Sequence, residues 1–328
     1  MRQLFGTVII MLGAGWATSA QAADPPGWAY GFPPAGTPAP AAAAPATPAP
    51  PDTSIKHLSG SSGAFTRAQI SDRFGPADWY PGDHPAMPDV VAHGKRPAVF
   101  ACSLCHYPNG KGRPENAGVA DLPAAYFIQQ MNDFKSGVRK SSEPRKANTN
   151  TMIAIATGMS DDEIKAAAEY FGSMKWTPWI KVVESTTVPK TRIAGGMFLT
   201  LEGNEKEPLG QRIIETPDDA EGTEVLRDAR SGFTAYVPVG SLKKGEALVI
   251  TGAGKTTKCS VCHGENLKGL GPVPGIAGRS PSYLMRQMFD MQQGTRHGVW
   301  SELMKPVLSN LTEADLLAIS AYAASRKP

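Results

Sequence analysis

"ACSLCHYPNGKG", residues 101–112, places two cysteines two residues apart with a histidine directly after the second. The pattern returns as "KCSVCHGENLKG", residues 258–269, and these two stretches hold all four cysteines of the 328-residue chain. Three chemistries share the spelling: a zinc knuckle, a redox dithiol and a thioether anchor for a haem. The choice has to account for every thiol at once.

The surroundings narrow it. In register, the two motifs are offset by 157 positions, and the offset persists downstream. It pairs Tyr126 with Tyr283, Gln130 with Gln287, Met131 with Met288, Asp133 with Asp290, Gly137 with Gly294 and Arg139 with Arg296. The stretches "AYFIQQMNDFKSGVRK" and "SYLMRQMFDMQQGTRH" both carry apolar stripes at helical spacing. Further on the offset is 152, pairing Met152 with Met304, Ser160 with Thr312 and Tyr170 with Tyr322, so the first copy carries a longer loop within "KSSEPRKANTNT". Each copy closes on a capping-box start and an amphipathic helix, Ser160 with Glu163 and Thr312 with Asp315.

A repeat of this kind gives each motif its own helical unit. Zinc ribbons keep their cysteine pairs some 15–20 residues apart, and a unit of its own supplies each motif with only three zinc ligands. A thioredoxin-type dithiol needs a βαβ setting, which the helical, glycine-rich flanks lack. Haem attachment fits the spacing. Two intervening residues span about one helical turn, so both thiols reach the vinyl groups of one haem while the next histidine projects under the iron. Cys102, Cys105 and His106 then hold one c-type haem, and Cys259, Cys262 and His263 a second.

With these motifs, the tyrosine-bearing helix, the downstream methionine and the capped last helix, both units resemble class I cytochromes c in the tandem dihaem arrangement of periplasmic carriers. The resemblance covers the two helical units and implies a mainly α fold with two class I cytochrome c domains in tandem; the short strand-containing inter-domain segment and the disordered Pro/Ala-rich N-terminal arm lie outside it and are read from composition and pattern. It implies a methionine as second axial ligand, on a loop before the last helix, which falls on Met152 and Met304. Both are at equivalent places in the two copies. Met131, Met288 and Met291 read as packing on helix stripes, and Met159 and Met174 as ordinary buried residues. The resemblance also places a backbone carbonyl behind each proximal histidine, from Pro274 in the second unit and from Ala117 or Gly118 in the first. Trp300 is a candidate hydrogen-bond donor to a haem propionate. His57, His84, His93 and His297 read as surface histidines, with His93 and His297 also kept as alternative ligands in place of a methionine.

The N-terminus, "MRQLFGTVIIMLGAGWATSAQA", has a charged start, an apolar run and an Ala-Gln-Ala cleavage site. It predicts a cleavable signal peptide over 1–22, a periplasmic protein, and no transmembrane segment after cleavage. Proline and alanine dominate 23–53, which reads as a disordered linker. The remaining divisions are an extension with a short helix, 54–86; the first cytochrome c domain, 87–180; the strand-containing segment, 181–238; and the second cytochrome c domain, 239–328. A net charge of +3 with no block of Lys or Arg excludes a nucleic-acid footprint.

Function follows as an electron carrier with two covalent His/Met haems and no open iron. Its partners are redox proteins: a donor dehydrogenase or cytochrome complex, and an acceptor oxidase or cytochrome. The alternatives are a haem enzyme with one open iron, of dihaem peroxidase or sulphur-compound dehydrogenase type, and the cytochrome subunit of a quinoprotein dehydrogenase. Lys135, Arg139, Lys140, Arg145 and Lys146 read as a basic rim for an acidic partner.

Overall fold

The computed structural model describes residues 24–33 and 52–328. The expected signal peptide and residues 34–51 of the Pro/Ala-rich arm lie outside the described residues. A helical turn α1 (Gly27–Tyr30) precedes a small hairpin, β1 (Ile55–Lys56) with β2 (Phe65–Thr66), and the short helix α2 (Arg67–Ile70). The first helical set is α3 (Asp89–Ala92), α4 (Cys102–His106), α5 (Ala124–Lys135), α6 (Ala147–Gly158) and α7 (Asp161–Gly172). Strands follow: β3 (Ile180–Glu184), β4 (Thr187–Pro189), β5 (Thr191–Ala194), β6 (Met197–Thr200), β7 (Lys206–Pro208), β8 (Ile214–Pro217) and β9 (Phe233–Val237). The second helical set is α8 (Ser241–Thr251), α9 (Ser260–His263), α10 (Pro281–Gln292), α11 (Lys305–Leu308) and α12 (Glu313–Ser325).

The fold repeats as the sequence does. α10 reproduces α5 end to end at the offset of 157, and α12 follows α7 at 152. Both capping boxes are complete, Ser160 accepting from the Glu163 amide and Thr312 from that of Asp315. One difference is instructive. The longer stretch in the first copy winds into the twelve-residue α6, so Met152 lies within a helix, whereas Met304 sits at the entry to the four-residue α11. The expected ligand loop is therefore a helix in the first unit, because the extra residues give the backbone enough length to close three helical turns.

α12 is buried on nearly every side, between α8, α10 and the strands, which is why its apolar residues show no single stripe. It crosses α8 at Gly245, where any Cβ would overlap the Ala318 carbonyl. Asp315, its side chain only 1% exposed, forms ion pairs with Lys244 and Lys255 at 2.8 Å each. Burial opposes its charge, but these two ammonium groups and the Thr312 cap outweigh it and hold the carboxyl well below the usual carboxylate range. The stabilisation is present above the unfolded value of 3.8 and is lost as pH falls below it. Asp315→Asn should cost about 2 kcal/mol at neutral pH, and the difference from wild type should shrink in acid; urea unfolding at pH 7 and pH 3 measures both.

Between the helical sets, β9 is central, parallel to β3 and antiparallel to β8. The sheet serves both units. Phe233 and Trp179 belong to the first core, while Ala235 and Val237 join the second.

The arm departs from expectation. Residues 24–33, read as disordered linker, are packed: Trp28, Ala29 and Tyr30 are buried in the second core, with Tyr30 edge-on to Phe289 at 6.4 Å. Gly31 caps the turn at φ 77°, against the Gly196 backbone at the tip of the β5–β6 hairpin, where a side chain would collide. The aromatic residues Trp28, Tyr30 and Phe32 supply what the flanking Pro/Ala sequence lacks, at roughly 2 kcal/mol per buried ring.

Candidate functional site

In the first unit, α4 carries both cysteines and the histidine on little more than one turn. The His106 ring is held by its Nδ1, 2.8 Å from the Ala117 carbonyl, which makes Nδ1 the donor and leaves Nε2 free. Burial keeps its pKa below the ordinary histidine value, so the ring is the neutral form that ligates metal. Cys102, Cys105 and His106 line one side of a cavity of about 260 Å³; Met152, Met131, Met159, Ile155, Phe127 and Phe171 line the rest. A second cavity of about 110 Å³ shares His106, Phe127, Met131 and Met152 and runs on to Arg139, Lys146, Tyr283 and Arg286.

The second unit repeats the arrangement. His263 Nδ1 lies 2.8 Å from the Pro274 carbonyl, and burial again lowers the ring's pKa. Met304, like Cys259, packs half-buried against the second core. The two carbonyls are those expected from the resemblance; of Ala117 and Gly118 it is Ala117 that serves, and the Gly118 carbonyl instead accepts from Arg279 of the second unit. Among the described residues no three His, Cys, Asp or Glu side chains converge as a metal cluster, so the four cysteines do not assemble into one zinc site.

The two units meet through the residues that the repeat pairs. Arg139 donates to Gln130 in its own unit and to Tyr283 and Gln287 across the interface. Arg296 mirrors it, donating to Gln287 in its own unit and to Tyr126 and Gln130 across. The backbones pair as well, Lys140 with Thr295 and His297 with Val138. Trp300 lies in this contact, stacked on Tyr126 at 6.2 Å. Symmetry breaks at the aspartates: Asp133 takes Gln129 and Gln130, while Asp290 takes the Tyr30 hydroxyl and the Ser142 amide.

This interface corrects the basic rim. Arg139 and Lys146 are buried, and Arg145 is tied to Glu143 and stacked over Phe32. Lys146 donates to the Tyr30 carbonyl; burial, with Arg286 nearby, pulls its pKa down to about 7. His84 is corrected too. Its side chain is 5% exposed and bonds Asp78, rather than facing solvent. Sequence reasoning also missed Arg279 and Arg286, buried cations whose guanidiniums bond main-chain carbonyls of the first unit and of α1.

Comparison with known proteins gives the family. A cytochrome c family model matches residues 91–175, the first helical set. Cytochrome c-554(548) of Halomonas halodenitrificans is 34% identical over 77 residues, covering 93% of that protein and 23% of this chain. The chain belongs to the cytochrome c family. With two attachment motifs it is a dihaem class I c-type cytochrome that takes part in electron transfer, and its cofactor is covalently bound haem c. A cytochrome c4 of Azotobacter vinelandii is 34% identical over 84 residues, 24% of this chain and 40% of that one. A longer match, 25% identical over 236 residues, is to a thiosulfate dehydrogenase electron acceptor of Stutzerimonas stutzeri and covers 71% of this dihaem cytochrome and 82% of its relative. No helix among the described residues is long and apolar enough to cross a membrane.

The donor set of this dihaem cytochrome fits the cofactor. Each cysteine pair and histidine lies on one turn, the histidine offers a free Nε2, and the first cavity is apolar around a methionine. The adjoining cavity, which shares His106 and Met152, is lined by Arg139, Lys146 and Arg286, cations suited to the group's carboxylates.

Proposed function

We propose that this cytochrome is a periplasmic electron carrier in which His106 with Met152 and His263 with Met304 would ligate the two haem irons, and Cys102, Cys105, Cys259 and Cys262 would anchor the haems through thioethers. The observation that carries the reading is the pairing of an imidazole, fixed through Nδ1 by a main-chain carbonyl, with a methionine lining the same cavity in the first unit. Bound haem supplies one ferric/ferrous couple per unit. The protein's own contribution is to hold each ring's orientation, to exclude water with apolar walls, and to present thioether sulphur, which favours the reduced state. The reciprocal arginine contact fixes the two units at one separation, as a two-site relay requires.

The long match to thiosulfate dehydrogenase electron acceptors supports a donor of the same chemistry, an enzyme that oxidises a small sulphur anion and passes electrons on. A quinoprotein dehydrogenase is the alternative donor. A second reading, one iron open to substrate, draws on the asymmetry of the ligand segments: Met152 lies in a helix, and Asn148 stands where the second unit has Trp300. Optical spectra and CO titration of the haem-loaded protein separate the readings. Two low-spin haems with the ferric Met–Fe charge-transfer band and no CO reaction are expected; a high-spin or CO-reactive haem supports the open-iron enzyme instead.

A further inference from the structure

The two attachment helices occupy equivalent places, yet their surroundings differ. α4 is sheathed. Ser103 is 3% exposed, beneath residues 76–84 of the N-terminal extension and 227–229 of the inter-unit segment. The sheath is tied down from both sides: Trp79 Nε1 donates to the Leu226 carbonyl at 2.7 Å, Asn109 to that of Ala229 at 2.9 Å, and Arg230 grips Asp83 with two bonds of 2.7 Å. α9 is bare. It contains no buried residue, Cys262 is exposed, and Val261 between the cysteines is 60% exposed, where Leu104 in the first unit is half-buried. The other segments that frame the second site are also open: Leu270 ahead of Pro274 is 59% exposed, and Val299 and Leu303 around Trp300 are 73% and 72% exposed.

From this asymmetry we infer that the second unit's attachment edge is the docking port of the molecule, that it takes an acidic redox protein, and that the first unit's edge is closed by the chain itself, so external electrons reach the first unit only by way of the second. The inference rests on the dihaem carrier reading. Apolar side chains at the port displace water and let two cofactor edges approach, while the surrounding charge selects the partner. That charge is positive: Lys255, Lys258, Lys268 and Lys305 are exposed on the same segments, against Glu265 and Glu302. Lys258 lies next to Cys259 and forms no ion pair among the described residues. The sheath, which belongs to neither helical set, accounts for the extension and part of the inter-unit segment as a cover that makes a two-cofactor chain directional.

Stopped-flow oxidation of flavodoxin hydroquinone, an acidic one-electron donor, tests this on the full haem-loaded protein. Lys258→Glu combined with Lys268→Glu should slow the second-order rate at least about tenfold at low ionic strength and flatten its salt dependence. Lys140→Glu, an exposed lysine of the first unit, should change it less than twofold. Equal losses from both variants, or a loss only from Lys140→Glu, overturn the single-port assignment. Optical spectra and CO titration of every variant report separately on the carrier reading: a CO-reactive haem would count against that reading whatever the rates show.

Discussion

Met152→His is expected to lower the midpoint potential of the first haem by on the order of 0.2 V, a sizeable share of the ~0.8 V that axial ligation commands across haem proteins. The second potential should stay within a few tens of millivolts, and about half of the Met–Fe charge-transfer absorbance should vanish. The reasoning is local. Met152 lines the cavity into which His106 presents its free Nε2, and a thioether favours ferrous iron more than an imidazole does. Spectroelectrochemical titration reads both haems at once. An unchanged first potential with the charge-transfer band intact would remove Met152 from the ligand set and turn attention to Met131 or Met159 on the same wall.

Arg139→Leu carries the largest structural effect. It strips the Gln130, Tyr283 and Gln287 side chains of a shared donor inside a buried contact, at about 3 kcal/mol. Arg139→Lys should recover little, because one ammonium cannot reproduce a fork that reaches three acceptors. Arg296→Leu should behave alike, and the double variant should cost less than the two singles together by at least about 1 kcal/mol. The two guanidiniums share Gln130 and Gln287, and each lies close enough to oppose the other's charge. Chemical denaturation of the four proteins closes the cycle. Additive losses would show that the two arginines act independently.

Much of this was readable from the chain alone, and the reasons differ by residue. Cys102, Cys105 and His106, with their second copy, are legible because thioether attachment leaves almost no freedom in spacing. The capping boxes at Ser160 and Thr312 are legible because they are local chemistry. The pairs Tyr126/Tyr283, Gln130/Gln287 and Arg139/Arg296 were visible as a repeat, but not as an interface: nothing in a helical period distinguishes a polar residue facing water from one facing its own duplicate. The same blindness placed Arg139 and Lys146 on a solvent rim. α1 was hidden differently. Its aromatic residues Trp28 and Tyr30 sit in a composition typical of disordered chain, and their partners lie more than a hundred positions away, beyond any window over which a pattern is read.

That distance has its own consequence. The Tyr30 hydroxyl reaches Asp290 across 260 residues of sequence, and the Tyr30 carbonyl takes Lys146 of the other helical set. Residues near the start of the chain thus complete a contact that exists only once both helical sets are formed and docked. The aromatic turn acts as a latch across the two helical sets, holding Asp290 of one and Lys146 of the other. A contact closed over so long a loop carries the entropy cost of non-local pairing, and the packed aromatic rings offset it.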